Sequence, residues 1–278
     1  MISHQLYELL SEALSKKQDI ALITITKHPD LSYVGSKFLL HKNGLLVDEN
    51  QFSLGLQSKF IEYCLPILKQ HKTKTVPIPY NEIQIECYVE VFPVPSHLIV
   101  AGAGHVSEPV AEIGKMLGFY VTVIDDRQKF ANDERFPFAD EVVCSSYIDF
   151  FRNVPITPET YILLLTRGHK FDVVSLQELL KREEHLEVKD RTKYIGMIGS
   201  RRRISGVFEQ LKSEFTDHNF INIYSPVGLD VGAQTPAEIA ISILAEILKI
   251  KNASSGNSLK EKISSYSQLK FRERFKNE

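Results

Sequence analysis

The sequence has little of what disulfide-bonded, zinc-binding or nucleic-acid-binding proteins depend on. Its 278 residues include only three cysteines, Cys64, Cys87 and Cys144, which are far apart and form no C-x-x-C pair. This spacing excludes a disulfide framework and argues against a structural zinc site. The 33 basic residues are balanced by 35 acidic ones, so the formal net charge is −2. Bulk charge therefore predicts neither a nucleic acid nor an anionic membrane as partner.

The sequence also lacks a long hydrophobic run. Its most apolar helical stretch, residues 239–250, is interrupted by polar and charged residues and is too short to span a bilayer. The amino end carries Glu8 and Glu12 within its apolar pattern, which is not typical of a signal peptide. We therefore expect a soluble, cytoplasmic protein whose cysteines are reduced.

Two different patterns divide the chain. Residues 1–92 mix helical spacing with β-branched runs, an Asn43-Gly44 hairpin signal and a period-two strand at 83–91, which predicts a small α+β domain. In residues 96–250, short apolar strands alternate with helices, which predicts an α/β fold with a Rossmann-like, doubly wound parallel sheet. Residues 251–278 are polar and basic, and we expect a mobile tail or an oligomer arm there.

A glycine-rich turn follows the first strand of the second domain and opens a helix. Gly102 would allow the tight turn, and Gly104 would let the backbone approach a phosphate at the helix N-terminus. Ser107 stands at the third glycine position of the dinucleotide-binding pattern. Asp125 ends the next strand, where that pattern places a ribose-binding carboxylate. The glycine turn is also compatible with a strand–helix connection that binds no ligand. Asp125 and Arg127 are likewise compatible with an exposed turn.

Polar residues also follow the fourth and fifth strands of this domain. In a sheet of order 3-2-1-4-5, the carboxyl ends of strands one, four and five face one crevice at the topological switch point. The residues expected there each come just after a strand: His105, Arg167, Gly168, His169, Gly199, Ser200 and Arg201. Arginines beside helix N-termini predict a polyanion site for a phosphate ester or pyrophosphate. Taken singly, each residue is equally compatible with a solvated surface or a local cap.

A second glycine-containing loop precedes the last helix. Gly228 and Gly232 flank Asp230 within an otherwise apolar segment, and this arrangement suggests backbone bent around a ligand. Thr235 and Glu238, which follow, are typical of a helix-capping box.

Five motifs of the second domain resemble the XdhC/CoxI family, the accessory factors of xanthine dehydrogenase and related molybdenum hydroxylases. In chain order they are Gly102-Ala103-Gly104-His105; Ile124-Asp125-Asp126-Arg127 with Phe130-Ala131-Asn132 and Arg135-Phe136-Pro137; Thr166-Arg167-Gly168-His169-Lys170-Phe171-Asp172; Tyr194-Ile195-Gly196-Met197-Ile198-Gly199-Ser200; and Pro226-Val227-Gly228-Leu229-Asp230-Val231-Gly232. The resemblance implies that the phosphorylated ligand is the molybdenum cofactor, molybdopterin with its phosphate and any attached nucleotide. It further implies transfer to a xanthine dehydrogenase-type hydroxylase, with a cysteine desulfurase and a homodimer among the candidate partners.

The resemblance also implies roles for the residues around the crevice. The glycines and Ser200 would offer hydrogen-bond donors, and Arg167 and Arg201 would neutralise phosphate. His105 and His169 would bind the pterin or the oxo groups of the metal. We expect a carrier, with no catalytic residue and no metal ligand of its own.

The amino-terminal domain departs from the family pattern. Lys59 and Phe60 stand where members carry small residues and a cysteine, and Cys64 lies two positions beyond the retained Glu62. A thiol-dependent role is therefore not expected at this position.

Two other functions are compatible with the sequence. In an NAD(P)-dependent oxidoreductase, Asp125 or Arg127 would select the ribose end and His169 would donate a proton. A non-catalytic nucleotide sensor would instead use the amino-terminal domain and the basic tail to contact a partner.

Overall fold

The protein is described here by a computed structural model that covers residues 2–16, 18–50 and 52–260, except the side chain of His218. The chain divides into two compact units, Met1–Val94 and Pro95–Glu278. Of the tail predicted at 251–278, residues 261–278 lie outside the described residues.

The first unit is an antiparallel sheet with a helix on each face. The strands are β1 (Ile20–Lys27), β2 (Lys37–His41), β3 (Leu46–Asp48), β4 (Lys74–Tyr80) and β5 (Ile83–Phe92), in the order β3-β2-β1-β5-β4, and the helices are α1 (His4–Ser15) and α2 (Leu54–Lys69). Side chains alternate along β1, so that Ala21 and Ile23 pack in the core with α2, whereas Ile20 and Leu22 pack with α1. The predicted hairpin joins β2 to β3 with Gly44 at a φ of +89°.

The helix α2 carries Lys59 and Phe60, which depart from the family pattern, and it buries the nearby Cys64. The Ser53 hydroxyl caps the helix by accepting the Leu56 N–H at 3.3 Å. Cys64 is fully buried in the core beneath α2, and burial raises the pKa of its thiol to about 12. The Lys59 ammonium pairs with the Glu62 carboxylate at 2.8 Å. The position of Lys59 carries no thiol, and the thiol of Cys64 is shielded from solvent.

The second unit has the predicted Rossmann-like sheet, with all neighbouring strands parallel. Its strands are β6 (His97–Ala101), β7 (Tyr120–Asp125), β8 (Glu141–Cys144), β9 (Thr160–Leu164), β10 (Tyr194–Met197) and β11 (Ile223–Tyr224), in the order β11-β10-β9-β6-β7-β8. The predicted order of the first five strands is confirmed. The two-residue β11 extends the sheet beyond β10, and it is too short to show a period in the sequence.

Five helices cover the two faces of this sheet. They are α3 (Ser107–Met116), α4 (Tyr147–Asn153), α5 (His169–Glu184), α6 (Arg201–Leu211) and α7 (Pro236–Lys251). Leu98 and Val100 of β6 pack with α3 and α7, whereas Ile99 and Ala101 pack with α4, α5 and α6. The chain thus leaves β6 toward one face and β9 toward the other. A crevice opens between neighbouring strands where connections diverge in this way.

None of the described helices combines the length and the apolarity that crossing a membrane requires.

We predict that the native protein reacts rapidly with one thiol reagent per chain and the unfolded protein with three. Cys144 is exposed, whereas Cys64 and Cys87 are buried and burial raises both of their pKa values. Because the thiolate is the reacting form, only Cys144 should react quickly at about pH 8. A chromogenic thiol assay measures this, and Cys144→Ser should abolish the fast phase. A second fast-reacting thiol in the native protein would contradict the buried positions.

Candidate functional site

Gly102 is required by the packing of the turn after β6. Its φ is +111°, and a Cβ there would lie 2.3 Å from the backbone oxygen of Leu165. The Gly102 N–H donates to the Ile124 oxygen at 2.7 Å. The turn is therefore held between the ends of the two neighbouring strands, and only glycine fits this position.

Gly104, two residues later, lies in open space. A Cβ at this position would meet no heavy atom within 4 Å. The backbone N–H groups of Gly104, His105 and Val106 donate to no acceptor in the described part of the chain, and His105 is exposed. Three consecutive unpaired N–H groups at the start of a helix form an anion-binding arrangement. The position predicted to approach a phosphate therefore has both the room and the donors.

Ser107 stands in the third glycine position of the motif. It is fully buried on the face of α3 that also carries Val110 and Ala111, and its hydroxyl has no hydrogen-bond partner among residues 2–16, 18–50 and 52–260. This small side chain thus permits the close approach of α3 to the sheet.

The Asp125 carboxylate holds the glycine turn through hydrogen bonds from three segments of the chain. It accepts the Ala103 N–H at 2.9 Å, the Arg127 N–H at 3.1 Å, the Arg127 guanidinium at 2.8 and 3.0 Å, and the Tyr147 hydroxyl at 3.4 Å. Its side chain is 0% exposed. The side chains of Asp125 and Arg127 bind each other and the turn, and the ribose-binding role expected of them stays a prediction.

Hydrogen bonding keeps this buried carboxylate charged. Burial by itself raises the pKa of Asp125, but the hydrogen bonds from the Arg127 side chain and from the backbone N–H groups of Ala103 and Arg127 outweigh burial and lower the pKa to about 2.

Arg167 lies at the crevice but already has an anionic partner. Its guanidinium donates to both oxygens of the Asp126 carboxylate, with Nη2 and Oδ2 2.9 Å apart. The guanidinium carbon also lies 3.9 Å from the centroid of the Phe171 ring. The arginine predicted to neutralise phosphate is thus held between a carboxylate and an aromatic ring.

Arg203, which the sequence-based prediction missed, clamps the turns after β9 and β10 together. Its Nε donates to the Asp172 carboxylate at 2.6 Å and its Nη2 to the Thr166 backbone oxygen at 2.9 Å. Asp172 is fully buried and also accepts the Thr166 hydroxyl at 2.5 Å. The signal that could have identified Arg203 is its position one helical turn before the buried Val207.

Ser200 and Gly199 form the turn from which Arg203 starts. The Ser200 hydroxyl caps α6 by accepting the Arg203 N–H at 3.4 Å. A Cβ at Gly199 would lie 3.1 Å from the Arg203 Cδ. Arg201 is exposed and has no hydrogen-bond or ion-pair partner within the described ranges. Arg202 is likewise exposed and without such a partner in that part of the chain, so of the three consecutive arginines only Arg203 is engaged by the fold.

His169 packs between two helices. Its Nε2 lies 3.0 Å from the position that a Cβ of Gly206 on α6 would take, and its side chain is half-buried. Gly168, just before it, is the N-cap of α5 and makes no side-chain capping bond. The first turn of α5, which follows β9 at the carboxyl end of the sheet, therefore has no side chain that caps its N–H groups.

The loop before α7 is bent around that helix. Gly228 has a φ of +104°, and a Cβ there would lie 2.4 Å from the Ser242 hydroxyl oxygen. Its N–H donates to the Glu246 carboxylate at 3.0 Å. Gly228 thus contacts Ser242 and Glu246 of α7, and its expected contact with a ligand stays a prediction. Asp230 and Gly232 are exposed, and a Cβ at Gly232 would meet nothing within 4 Å.

No group of three or more histidine, cysteine, aspartate or glutamate residues among the described ones is arranged to hold a metal ion.

Comparison with known proteins identifies the family of the second unit. Residues 98–247 match the family model described as the XdhC Rossmann domain. The chain is 30% identical over 171 residues to the uncharacterized protein YqeB of Escherichia coli (strain K12), a match that covers 61% of this chain and 30% of that protein. It is 26% identical over 182 residues to a probable xanthine dehydrogenase subunit of Bacillus subtilis (strain 168), covering 66% of this chain and 51% of that protein. The chain thus matches between about a third and a half of the length of these relatives.

A solved structure shares the fold. It is described as a xanthine dehydrogenase from Bacillus halodurans, with 20% sequence identity, a TM-score of 0.53, and coverage of 91% of this chain and 98% of that one.

We predict that Asp125→Asn lowers the free energy of unfolding at pH 7 by about 2 kcal/mol, because the pKa near 2 in the folded protein lies below the usual aspartate value of about 3.9. A folded pKa that is lowered stabilises the protein above about pH 4, and this contribution is lost as the pH falls toward 2. Denaturant titrations of parent and variant across this range measure it. Asp133→Asn, at an exposed carboxylate without a described partner, is the control. If parent and variant differed in free energy of unfolding by the same amount at pH 7 and at pH 2, the lowered pKa of Asp125 would be refuted.

Proposed function

Since the chain belongs to the XdhC family, we propose that its Rossmann domain binds the molybdenum cofactor, a phosphorylated pterin, as cargo. The client would be a molybdenum hydroxylase of the xanthine dehydrogenase type. The relatives whose names refer to xanthine dehydrogenase support a role in the maturation of such an enzyme.

The observation that carries this proposal is the set of unpaired N–H groups at Gly104, His105 and Val106. They lie at the start of the ten-residue helix α3, whose N-terminus adds partial positive charge. The absence of a Cβ at Gly104 leaves space for a phosphate to approach the backbone. These features suit the terminal phosphate of a pterin cofactor.

Charged and aromatic groups around the crevice fit the rest of such a ligand. Arg201 at the start of α6 is exposed and unpaired within the described chain, and Arg167 has its planar guanidinium stacked on Phe171. Arginine binds phosphate oxygens through two donors at once, which gives orientation as well as affinity. His105, exposed beside Gly104, can hydrogen-bond the pterin ring.

The buried Asp125 disfavours the alternative of an NAD(P)-dependent oxidoreductase. A carboxylate at the end of the second strand normally accepts the ribose hydroxyl of NAD. Here its oxygens are taken up by the turn and by Arg127, and the side chain is shielded from solvent. These contacts support the binding of a phosphate at the turn without a neighbouring ribose contact.

A carrier role agrees with the histidines of the site. Among the described residues neither His105 nor His169 hydrogen-bonds a nucleophile, and His169 is packed against α6. In this role the chain's own residues would hold and orient the cargo, and the cofactor would supply its redox chemistry once it is in the client.

We predict that Gly104→Val abolishes cofactor binding while the fold is retained. The branched side chain would fill the space that the phosphate needs, and its Cβ would meet no protein heavy atom within 4 Å. Titration calorimetry with isolated molybdopterin measures binding, and denaturant unfolding measures stability. Gly104→Ala should give a smaller loss of affinity, and Gly102→Ala should instead destabilise the fold, because of its φ and the contact with Leu165. Unchanged affinity in Gly104→Val would rule out this use of the turn.

We also predict that the protein acts stoichiometrically. A cofactor-free molybdenum hydroxylase at fixed concentration is titrated with cofactor-loaded protein, and no further cofactor is supplied. A carrier should give a plateau near one activated client per loaded chain. Many clients activated per chain, or steady oxidation of NAD(P)H that is lost in His169→Ala, would show an enzyme instead. Tight binding of plain nucleotides without any affinity for the pterin would show a sensor.

A further inference from the structure

The ion pair of Arg167 with Asp126 joins the two turns that flank the glycine turn. Asp126 follows β7 and Arg167 follows β9, and β6 lies between these strands in the sheet. Both guanidinium Nη atoms face the two carboxylate oxygens. This two-donor, end-on geometry is one in which arginine also binds a phosphate group.

We propose that Asp126 is a specificity-determining residue that takes the place of the ligand's phosphate on Arg167 in the ligand-free protein. A phosphorylated ligand displaces the Asp126 carboxylate and takes over both guanidinium donors. The inference rests on the proposed function for the location of the ligand, but it concerns only the anionic group and not the pterin.

Asp126 can be displaced without disturbing the turn. Among the described residues its only hydrogen bonds are with Arg167, and the Arg127 Nε is 4.0 Å from its nearer oxygen. Its side chain is 27% exposed, whereas that of Asp125 is 0% exposed. A partly exposed pair of this kind contributes little to stability. The Asp125–Arg127 pair, which holds the turn, stays in place when Asp126 moves.

Arg167 remains in position after Asp126 leaves. The Phe171 ring that stacks on its guanidinium lies in the first turn of α5, so Phe171 and Arg167 belong to the same segment after β9. Asp126 belongs to a different turn, so the stacking does not depend on it. The N-terminal N–H groups of α5 lie next to Arg167 in the chain and favour an anion there.

This arrangement selects for charge. A ligand that lacks a phosphate cannot replace the carboxylate, and it leaves the Arg167–Asp126 pair intact. A phosphate carries more charge than a carboxylate and presents its oxygens to the same pair of donors. The competition lowers the apparent affinity by the same factor for every anion that uses Arg167, so only an anion whose contact with Arg167 is stronger than that of the carboxylate displaces it.

The test is a double-mutant cycle on the full chain, with inorganic pyrophosphate as the probe and titration calorimetry as the measurement. Asp126→Asn keeps the shape of the side chain and removes the competing charge, so the affinity for pyrophosphate should rise about fivefold. Arg167→Gln should lower the affinity, and in this background Asp126→Asn should give no rise. Asp133→Asn removes one exposed negative charge elsewhere on the unit and should leave the affinity unchanged.

Three results would overturn the inference. These are equal affinities of Asp126→Asn and the parent, a rise of the same size in the Arg167→Gln background, and no binding of pyrophosphate to either the parent or Asp126→Asn. The second result would mean that Asp126 only repels anions at a distance. Failure of the loaded protein to activate a hydroxylase would refute the carrier role and would not change the outcome of this cycle.

Discussion

The site depends on one buried carboxylate. Asp125 receives five hydrogen bonds, from the Ala103 N–H, the Arg127 N–H, the Arg127 side chain and the Tyr147 hydroxyl. A buried charge is tolerated only when it is paired and hydrogen-bonded, and here the partners that satisfy it belong to three separate segments of the chain. The glycine turn is thereby fixed without the help of a ligand. The next three N–H groups, those of Gly104, His105 and Val106, have no acceptor in the described part of the chain.

A second buried network gives the other side of the crevice the same rigidity. Arg203, Asp172 and Thr166 join the turns after β9 and β10. Burial raises the pKa of Asp172 in spite of its hydrogen bonds to Thr166 and Arg203, so the carboxylate depends on these partners to remain charged. Arg167 and Arg201 can therefore respond to a ligand while the backbone that carries them stays fixed.

Sequence patterns predict what depends on periodicity and order along the chain. Alternating strands and helices are sufficient to predict the Rossmann-like sheet, and Asn43-Gly44 is sufficient to predict a hairpin, because each signal is local. The partners of charged side chains are not local. Nothing in the run Arg201-Arg202-Arg203 states that the third arginine reaches Asp172, 31 positions earlier. The position of Asp125 likewise matches the dinucleotide-binding pattern and predicts a ligand contact, although its burial depends on Arg127 and Tyr147.

Gly102 and Gly104 belong to one short motif, but the fold requires a glycine only at position 102. A Cβ at Gly102 would collide with the backbone of Leu165, whereas a Cβ at Gly104 would meet no heavy atom within 4 Å. The two positions should therefore diverge differently among descendants of this protein. A lineage that stopped carrying the ligand would have to keep the first glycine in order to fold, and it would be free to replace the second. Under the proposed function, the residue at position 104 is thus a marker of whether such a descendant still binds its cargo.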